Sequence, residues 1–367
     1  MYFWFLYVER LDLILMENTG VEFPKNDKQE RIIFLDSLKG LAVILVILGH
    51  IIQKYQSFNL YPKWTDTLID IESVIYSFHM QLFMLISGFL FEKAYFSIDG
   101  KIKQKRFNTQ FMNLFLVYIF FSLFEGCIKI FFSQNVISQV TVADLFLILF
   151  KPIGGRLWYL YVLMEYYCIF SRKIIQKNIG KIGLLLTITV ISILNVYTEY
   201  AWLFSIRRAL RDSLSFYVGM VICRYGVQKI MNKTNIVVLS FIALVRLFFY
   251  GFGCMRNDIP FLSVMYGTII ATAIFGVFKK VEMLSNSHML SSIGICSLEM
   301  FMLQEYPLTL CTLFLPKLVH NTWFSIISNA VITVISIMVF KLVTVKINIY
   351  DFFFRPYVQI KKMVEQE

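Results

Sequence analysis

The chain has 367 residues, of which 58% are hydrophobic and 16% charged, and its net charge is +11. Soluble domains carry about 25% charged residues, so this composition excludes a single globule folded around one aqueous core. The basic residues are spread between apolar stretches rather than gathered on one face, which argues against a nucleic-acid interface and fits loops that collect Lys and Arg at a cytoplasmic surface.

Helices of about 20 apolar residues satisfy their own backbone in lipid, so the chain reads as an all-α, polytopic membrane protein. The start, Met1-Tyr-Phe-Trp-Phe-Leu-Tyr-Val, is too short to span and lacks the basic region of a signal peptide, with Met16 a second candidate for the first residue. Residues 1–30 are read as an N-terminal cytoplasmic segment, 31–346 as the transmembrane domain and 347–367 as a C-terminal tail. Ten spans are predicted, at 36–53, 73–91, 111–132, 157–171, 182–198, 209–224, 235–251, 260–278, 292–315 and 323–345. The stretch 141–150 is too short to cross and reads as a re-entrant or interfacial helix. The tail mixes Phe352, Phe353 and Phe354 with Arg355, Lys361 and Lys362, as a helix lying on a membrane surface would. The larger share of Lys and Arg falls on one side when both termini are placed in the cytoplasm, and that sets the expected orientation.

Of the six cysteines, Cys127, Cys168, Cys223, Cys296 and Cys311 fall in apolar spans and Cys254 in a loop. No CxxC or Cys/His spacing occurs, so neither a disulfide framework nor a metal site is expected.

Polar side chains are costly in hydrocarbon and usually face a cavity or a partner there, so the first two spans stand out. Asp36, Lys39, Gly40, Val43, Ile47 and His50 recur at helical spacing and share one face. Lys39 and His50 are eleven residues apart, roughly 16 Å of helical rise, which puts Lys39 toward the cytoplasm and His50 toward the outside. Asp36 is placed to pair with Lys39. The second span runs the opposite way and brings His79 level with His50. A neutral imidazole takes a proton from an alcohol near neutral pH, and a cation at the inner opening attracts a phosphate-bearing donor. Together they describe transfer of an activated group from a cytoplasmic donor to a hydroxyl arriving from outside. Gly154-Gly155-Arg156-Leu157-Trp158-Tyr159 opens the fourth span with a turn, a cation and aromatics, while Lys101, Lys103, Lys105 and Arg106 crowd one cytoplasmic loop. Glu165, Arg246 and Glu299 are further polar positions inside spans, and Arg246 calls for a carboxylate partner.

The run Leu35-Asp36-Ser37-Leu38-Lys39-Gly40-Leu41-Ala42 … Gly49-His50 resembles the first helix of the acyltransferase-3 membrane proteins, which include bacterial polysaccharide and fucose O-acetylases. Phe78-His79-Met80-Gln81-Leu82-Phe83 … Ser87-Gly88-Phe89-Leu90-Phe91 is similar to their second helix, Leu157-Trp158-Tyr159-Leu160 to their fourth-span opening, and Phe216-Tyr217-Val218-Gly219 to a later glycine-bearing helix. The resemblance implies an O-acetyltransferase of a bacterial inner membrane that moves acetyl from acetyl-CoA to a hydroxyl of a cell-envelope polysaccharide or its lipid-linked precursor. It makes His50 and His79 the catalytic candidates, Lys39, Lys105 and Arg106 the acyl-donor contacts, and Asp36, Ser87, Arg156 and Trp158 supporting residues. Lys39 stands where many members carry Arg, which keeps the charge and loses the planar fork. Gln81 replaces a common Pro, Gln110-Phe111-Met112-Asn113 replaces an Arg pair, and Gln304 stands where the family segment usually ends in His. The rival from another class is a secondary transporter or glycan flippase that uses Asp36, Lys39, Arg246 and the histidines as a proton relay.

Overall fold

The computed structural model describes residues 33–97, 101–131, 141–150, 152, 157–194, 203–251 and 260–366. The expected N-terminal segment 1–30, Arg156 and Cys254 lie outside them. Among the described residues every regular element is helical, with one isolated antiparallel bridge between Phe96 and Ile102. The helices are α1 Ile33–Ser57, α2 Thr65–Tyr76, α3 His79–Tyr95, α4 Gln104–Phe131, α5 Val142–Phe146, α6 Trp158–Phe170, α7 Ile182–Ile193, α8 Ile206–Tyr225, α9 Lys233–Gly251, α10 Pro260–Lys280, α11 His288–Ile295, α12 Ser297–Leu303, α13 Glu305–Leu318, α14 Thr322–Lys346, α15 Tyr350–Phe354 and α16 Pro356–Gln366.

Among the described residues five segments are long and apolar enough to cross a membrane: Ile33–Ser57, Pro62–Tyr95, Gln104–Phe131, Leu262–Lys280 and Thr322–Lys346. Apolar side chains also line the outside of the bundle at helical spacing. On α9 Val237, Phe241, Leu244 and Phe248 are exposed, and on α14 Phe324, Ile327, Val331 and Ile335. Stripes of this extent are a liability in water and the expected surface in lipid. The protein is therefore a helical membrane protein.

Two of the predicted spans are not single helices. The second is α2 followed by α3, with Phe78 between them at φ −147°, ψ −16°. The ninth is three helices, α11, α12 and α13, jointed at Cys296 and Gln304. The predicted re-entrant stretch forms only the single turn α5, closed by a capping box in which Thr141 and Asp144 exchange hydrogen bonds. Further along, the Ile148 and Leu149 carbonyls accept hydrogen bonds from Tyr118 and Tyr161, so this stretch is tied to α4 and α6.

Two close helix crossings organise the core, and glycine makes each possible. A Cβ on Gly88 of α3 would lie 1.9 Å from the Phe216 carbonyl oxygen, and one on Gly219 of α8 2.0 Å from that of Leu85. A Cβ on Gly40 of α1 would lie 2.0 Å from the Leu290 oxygen, and one on Gly294 of α11 1.8 Å from that of Asp36. Lipid gives helices little hydrophobic reason to associate, so close backbone contact at small residues takes over that role. Aromatic rings fill the wedge beside the first crossing, with Phe91 tilted against Tyr167 and Phe216 against Tyr166, each pair 4.8 Å apart.

One end of the bundle is closed by ion pairs. Arg224 of α8 donates to Glu92 of α3 at 2.6 Å and to the Gln176 carbonyl at 2.7 Å. The Glu92–Arg224 pair, with the Gly88 and Gly219 contacts, shows that α3 and α8 run parallel. At the same end the Phe34 ring of α1 and the Phe89 ring of α3 both pack 5.5 Å from Phe275. Glu299 meets Lys341 at 2.9 Å and accepts from the Tyr350 hydroxyl at 2.7 Å. Burial, and then the Glu299 charge, hold the Tyr350 hydroxyl well above its ordinary pKa, so it stays a donor. The tail helix α16 starts against α4, where the buried Asn113 side chain accepts from the Tyr357 and Val358 amides at 3.0 and 3.4 Å. Ile360, Met363 and Val364 remain exposed along it beside Lys361 and Lys362.

Candidate functional site

The break between α2 and α3 builds the site. In a continuous helix the Ile75 carbonyl would accept the backbone N–H of residue 79. The turn at Phe78 breaks that bond, so the Ile75 oxygen accepts the Phe78 amide at 3.3 Å and has the His79 Nδ1 2.8 Å away. A carbonyl only accepts, so in the neutral ring Nδ1 carries the proton and Nε2 is left with its lone pair. His79 is 5% exposed. The result is an oriented, buried base on a rigid helix start.

The sequence places His50 and His79 at one depth, and the structure puts them at the same end of the bundle, but not ring to ring. Tyr76 stands between them. Its ring lies 4.7 Å from His79 and 6.5 Å from His50, edge-on to both. Its hydroxyl is 3.4 Å from His50 Nδ1 and 3.4 Å from Gln53 Oε1. Gly49 makes room for this ring, because a Cβ there would sit 2.8 Å from Tyr76 Cε2. The Gly49-His50 pair thus supplies both an imidazole and the notch for its neighbour.

A second group flanks His79 on α8. Arg211 donates to the fully buried Asp212 through Nε and Nη2, each at 2.8 Å. It lies within electrostatic reach of His79, as does His50. The Arg208 and Arg211 guanidinium carbons stand 4.8 and 5.7 Å over the buried Trp158 ring. Trp158 is therefore more than an interfacial aromatic; it is the platform for two cations. Toward the middle of the bundle, Ser87 and Tyr159 share a 2.7 Å hydroxyl–hydroxyl bond. The Tyr159 ring packs 5.8 Å from Phe83 and 4.8 Å from Phe301.

The remaining candidates sit elsewhere. Lys39 pairs with Asp36 at 3.0 Å near the opposite end, about three helical turns from His50. Lys105 and Arg106 lie in the first turn of α4, Lys105 exposed and Arg106 half-buried. Neither reaches the histidines, and the supporting candidate Arg156 lies outside the described residues. Buried Arg246 has the Tyr266 ring face 4.9 Å from its guanidinium carbon. Glu299 belongs to the Lys341 ion pair, and Glu165 neighbours Tyr118, Tyr161 and Tyr166. Buried Gln304 occupies the α12–α13 joint. Tyr76, Arg208, Arg211 and Asp212 were not singled out from the sequence. The signal for three of them was present in Arg207-Arg208-Ala209-Leu210-Arg211-Asp212, a run that counts as three basic residues on the side where cations are scarce.

A family model described as an acyltransferase domain matches residues 32–342. The chain belongs to the acyltransferase-3 family. The nodulation protein NolL of Sinorhizobium fredii (strain NBRC 101917 / NGR234) is 43% identical over 60 residues, which is 16% of this chain and 16% of that protein. The chain therefore matches only a small part of that relative's length. No solved structure matches. The protein is a membrane acyltransferase by family, and the histidine pair lies within the matched region.

Proposed function

We propose that this protein is an O-acyltransferase that carries acetyl from cytoplasmic acetyl-CoA to a hydroxyl of a cell-envelope polysaccharide or its lipid-linked precursor, in a bacterial inner membrane. Both termini lie in the cytoplasm and ten helical spans surround the site, the breaks after Tyr76, Ile295 and Leu303 occurring inside spans. The observation that carries the reading is the His79 ring, whose Nδ1 is held by Ile75 and whose Nε2 is left as a base beside Tyr76 and His50.

In the reaction the acceptor hydroxyl gives its proton to an imidazole as its oxygen attacks the thioester carbonyl carbon. The tetrahedral intermediate then collapses, the C–S bond breaks, and the thiolate leaves with the proton returned by the imidazolium. His79 is the oriented base, and His50 shares the proton or orients the hydroxyl through Tyr76. The positive field of Arg211 favours the developing oxyanion. The Ser87–Tyr159 hydroxyls line the route between the two ends. Lys39, with Lys105 and Arg106, attracts the CoA phosphates at the inner face.

The test is mass spectrometry of envelope glycan from cells with the protein, without it, and with His79→Ala or His50→Ala. Loss of an increment of about 42 Da (one C2H2O unit) in both variants, with normal membrane insertion, supports the reading. An unchanged glycan in the deletion strain overturns it. Transport of a glycan by reconstituted vesicles without consumption of acyl-CoA would favour the transporter instead.

A further inference from the structure

The start of α8 carries three arginines and one aspartate within six residues, Arg207, Arg208, Arg211 and Asp212. Asp212 is engaged by Arg211 through a two-bond fork. Arg208, one turn earlier and half-buried, has no carboxylate within ion-pair distance among the described residues. Both guanidiniums nevertheless lie over the same Trp158 indole. Two like charges on one ring repel each other, and an anion at their edges relieves that repulsion. A guanidinium stacked flat on an aromatic face also keeps its edge donors free for a planar, two-point contact with an oxyanion. Among the described residues Asp212, whose charge also reaches Arg208, offsets one of the three arginine charges, and the excess of positive charge suits an anionic ligand.

The position narrows which ligand. Arg211 is within electrostatic reach of His79, while the Glu92–Arg224 pair marks the opposite end of the same two parallel helices. Lys39 and the α4 cations lie at that opposite end, so the donor's phosphates approach there. An anion at the Trp158 end arrives with the acceptor. In the proposed orientation this is the outer headgroup level, where aromatic residues gather and where a lipid-linked sugar keeps its phosphate. The hydroxyls of the first sugar then lie a few bonds away, toward His79.

We propose that Arg208, held on Trp158, binds a phosphate of a lipid-linked sugar acceptor, and that Arg211, fixed by Asp212, positions the neighbouring sugar at His79. This rests on the acyltransferase reading and deepens it. The test is a binding measurement that needs no acyl transfer. Full-length protein in dodecylmaltoside is titrated, by calorimetry or native mass spectrometry, with four probes. These are farnesyl-diphosphate-linked N-acetylglucosamine, uncharged farnesyl N-acetylglucosaminide, phosphatidylglycerol and coenzyme A. The diphosphate probe should bind about tenfold tighter than the uncharged one, and Arg208→Gln should erase that difference. Arg208→Lys, which keeps the charge and not the fork, should weaken the diphosphate probe about threefold. Thermal unfolding confirms which variants are folded. Wild-type binding of the diphosphate probe by either folded variant overturns the proposal. So does an equal loss of phosphatidylglycerol or coenzyme A binding in Arg208→Gln, which would assign the site to a lipid headgroup or to the donor. An unchanged envelope glycan in the deletion strain would sink the acyltransferase reading and leave the binding result standing.

Discussion

The two ends of the α3–α8 pair are held in opposite ways. At one end Glu92 is met by Arg224, and nearby Glu299 is met by Lys341 and Tyr350, so each buried charge has an opposite charge beside it. At the other end His79 is held by a backbone carbonyl, Tyr76 by ring contacts and 3.4 Å hydrogen bonds, and Arg208 by an indole face. Charges that neutralise each other within the chain fix the groups that carry them, as Asp212 also fixes Arg211. Groups held by backbone and rings are oriented with their hydrogen-bonding capacity still available. The first arrangement is structural, and the second is what a site for chemistry requires.

The sharpest way to break this contrast is to remove the base. His79→Ala should lower acyl transfer by about 10²–10⁴-fold while membrane insertion and thermal unfolding change little, read by acceptor acetylation in purified membranes. A large loss of stability instead would move His79 to the structural side. The reverse result is expected at the closed end. Lys341→Ala leaves Glu299 buried and uncompensated, which should cost about 3–5 kcal/mol of stability. Thermal unfolding in detergent checks this, and Glu299→Gln combined with Lys341→Met should recover most of the loss.

Between the two ends the glycine crossing can be tested on its own. Gly88→Ala forces a methyl to within 1.9 Å of the Phe216 oxygen, so the helices must separate. Such overpacking costs about 1–3 kcal/mol, visible as a lowered unfolding midpoint with a proportional loss of activity. The smallest effect belongs to Tyr76→Phe. The ring that spaces the histidines remains and only two long hydrogen bonds go, so activity should fall by no more than about fivefold. Loss as deep as that of His79→Ala would instead make the Tyr76 hydroxyl part of the proton path.

Much of this was legible along the chain. Helices stand where apolar length and periodicity put them, because lipid admits few other ways to satisfy a backbone. His50 and His79 were legible as rare polar groups in apolar runs, Ser87 through the family resemblance, and Lys39 was correctly paired with Asp36. The helix breaks were not legible. Phe78 carries no Gly or Pro signal, Gly294 and Pro307 beside the Cys296 and Gln304 joints were not read as breaks, and in an apolar stretch a bent helix has the same periodicity as a straight one. Arg208 and Arg211 were hidden for a different reason. Basic residues at a span end look like topology until a tryptophan from another helix lies beneath them.

Composition and pattern alone determined that this protein is helical and membrane-embedded and singled out two histidines, since the cost of polar groups in hydrocarbon is set residue by residue. The tertiary structure decided that a tyrosine separates those histidines, that a carbonyl at a helix break orients one of them, and that an indole gathers the arginines. Each of these depends on backbone turns and on contacts between helices far apart in the chain, and local spacing carries no information about either.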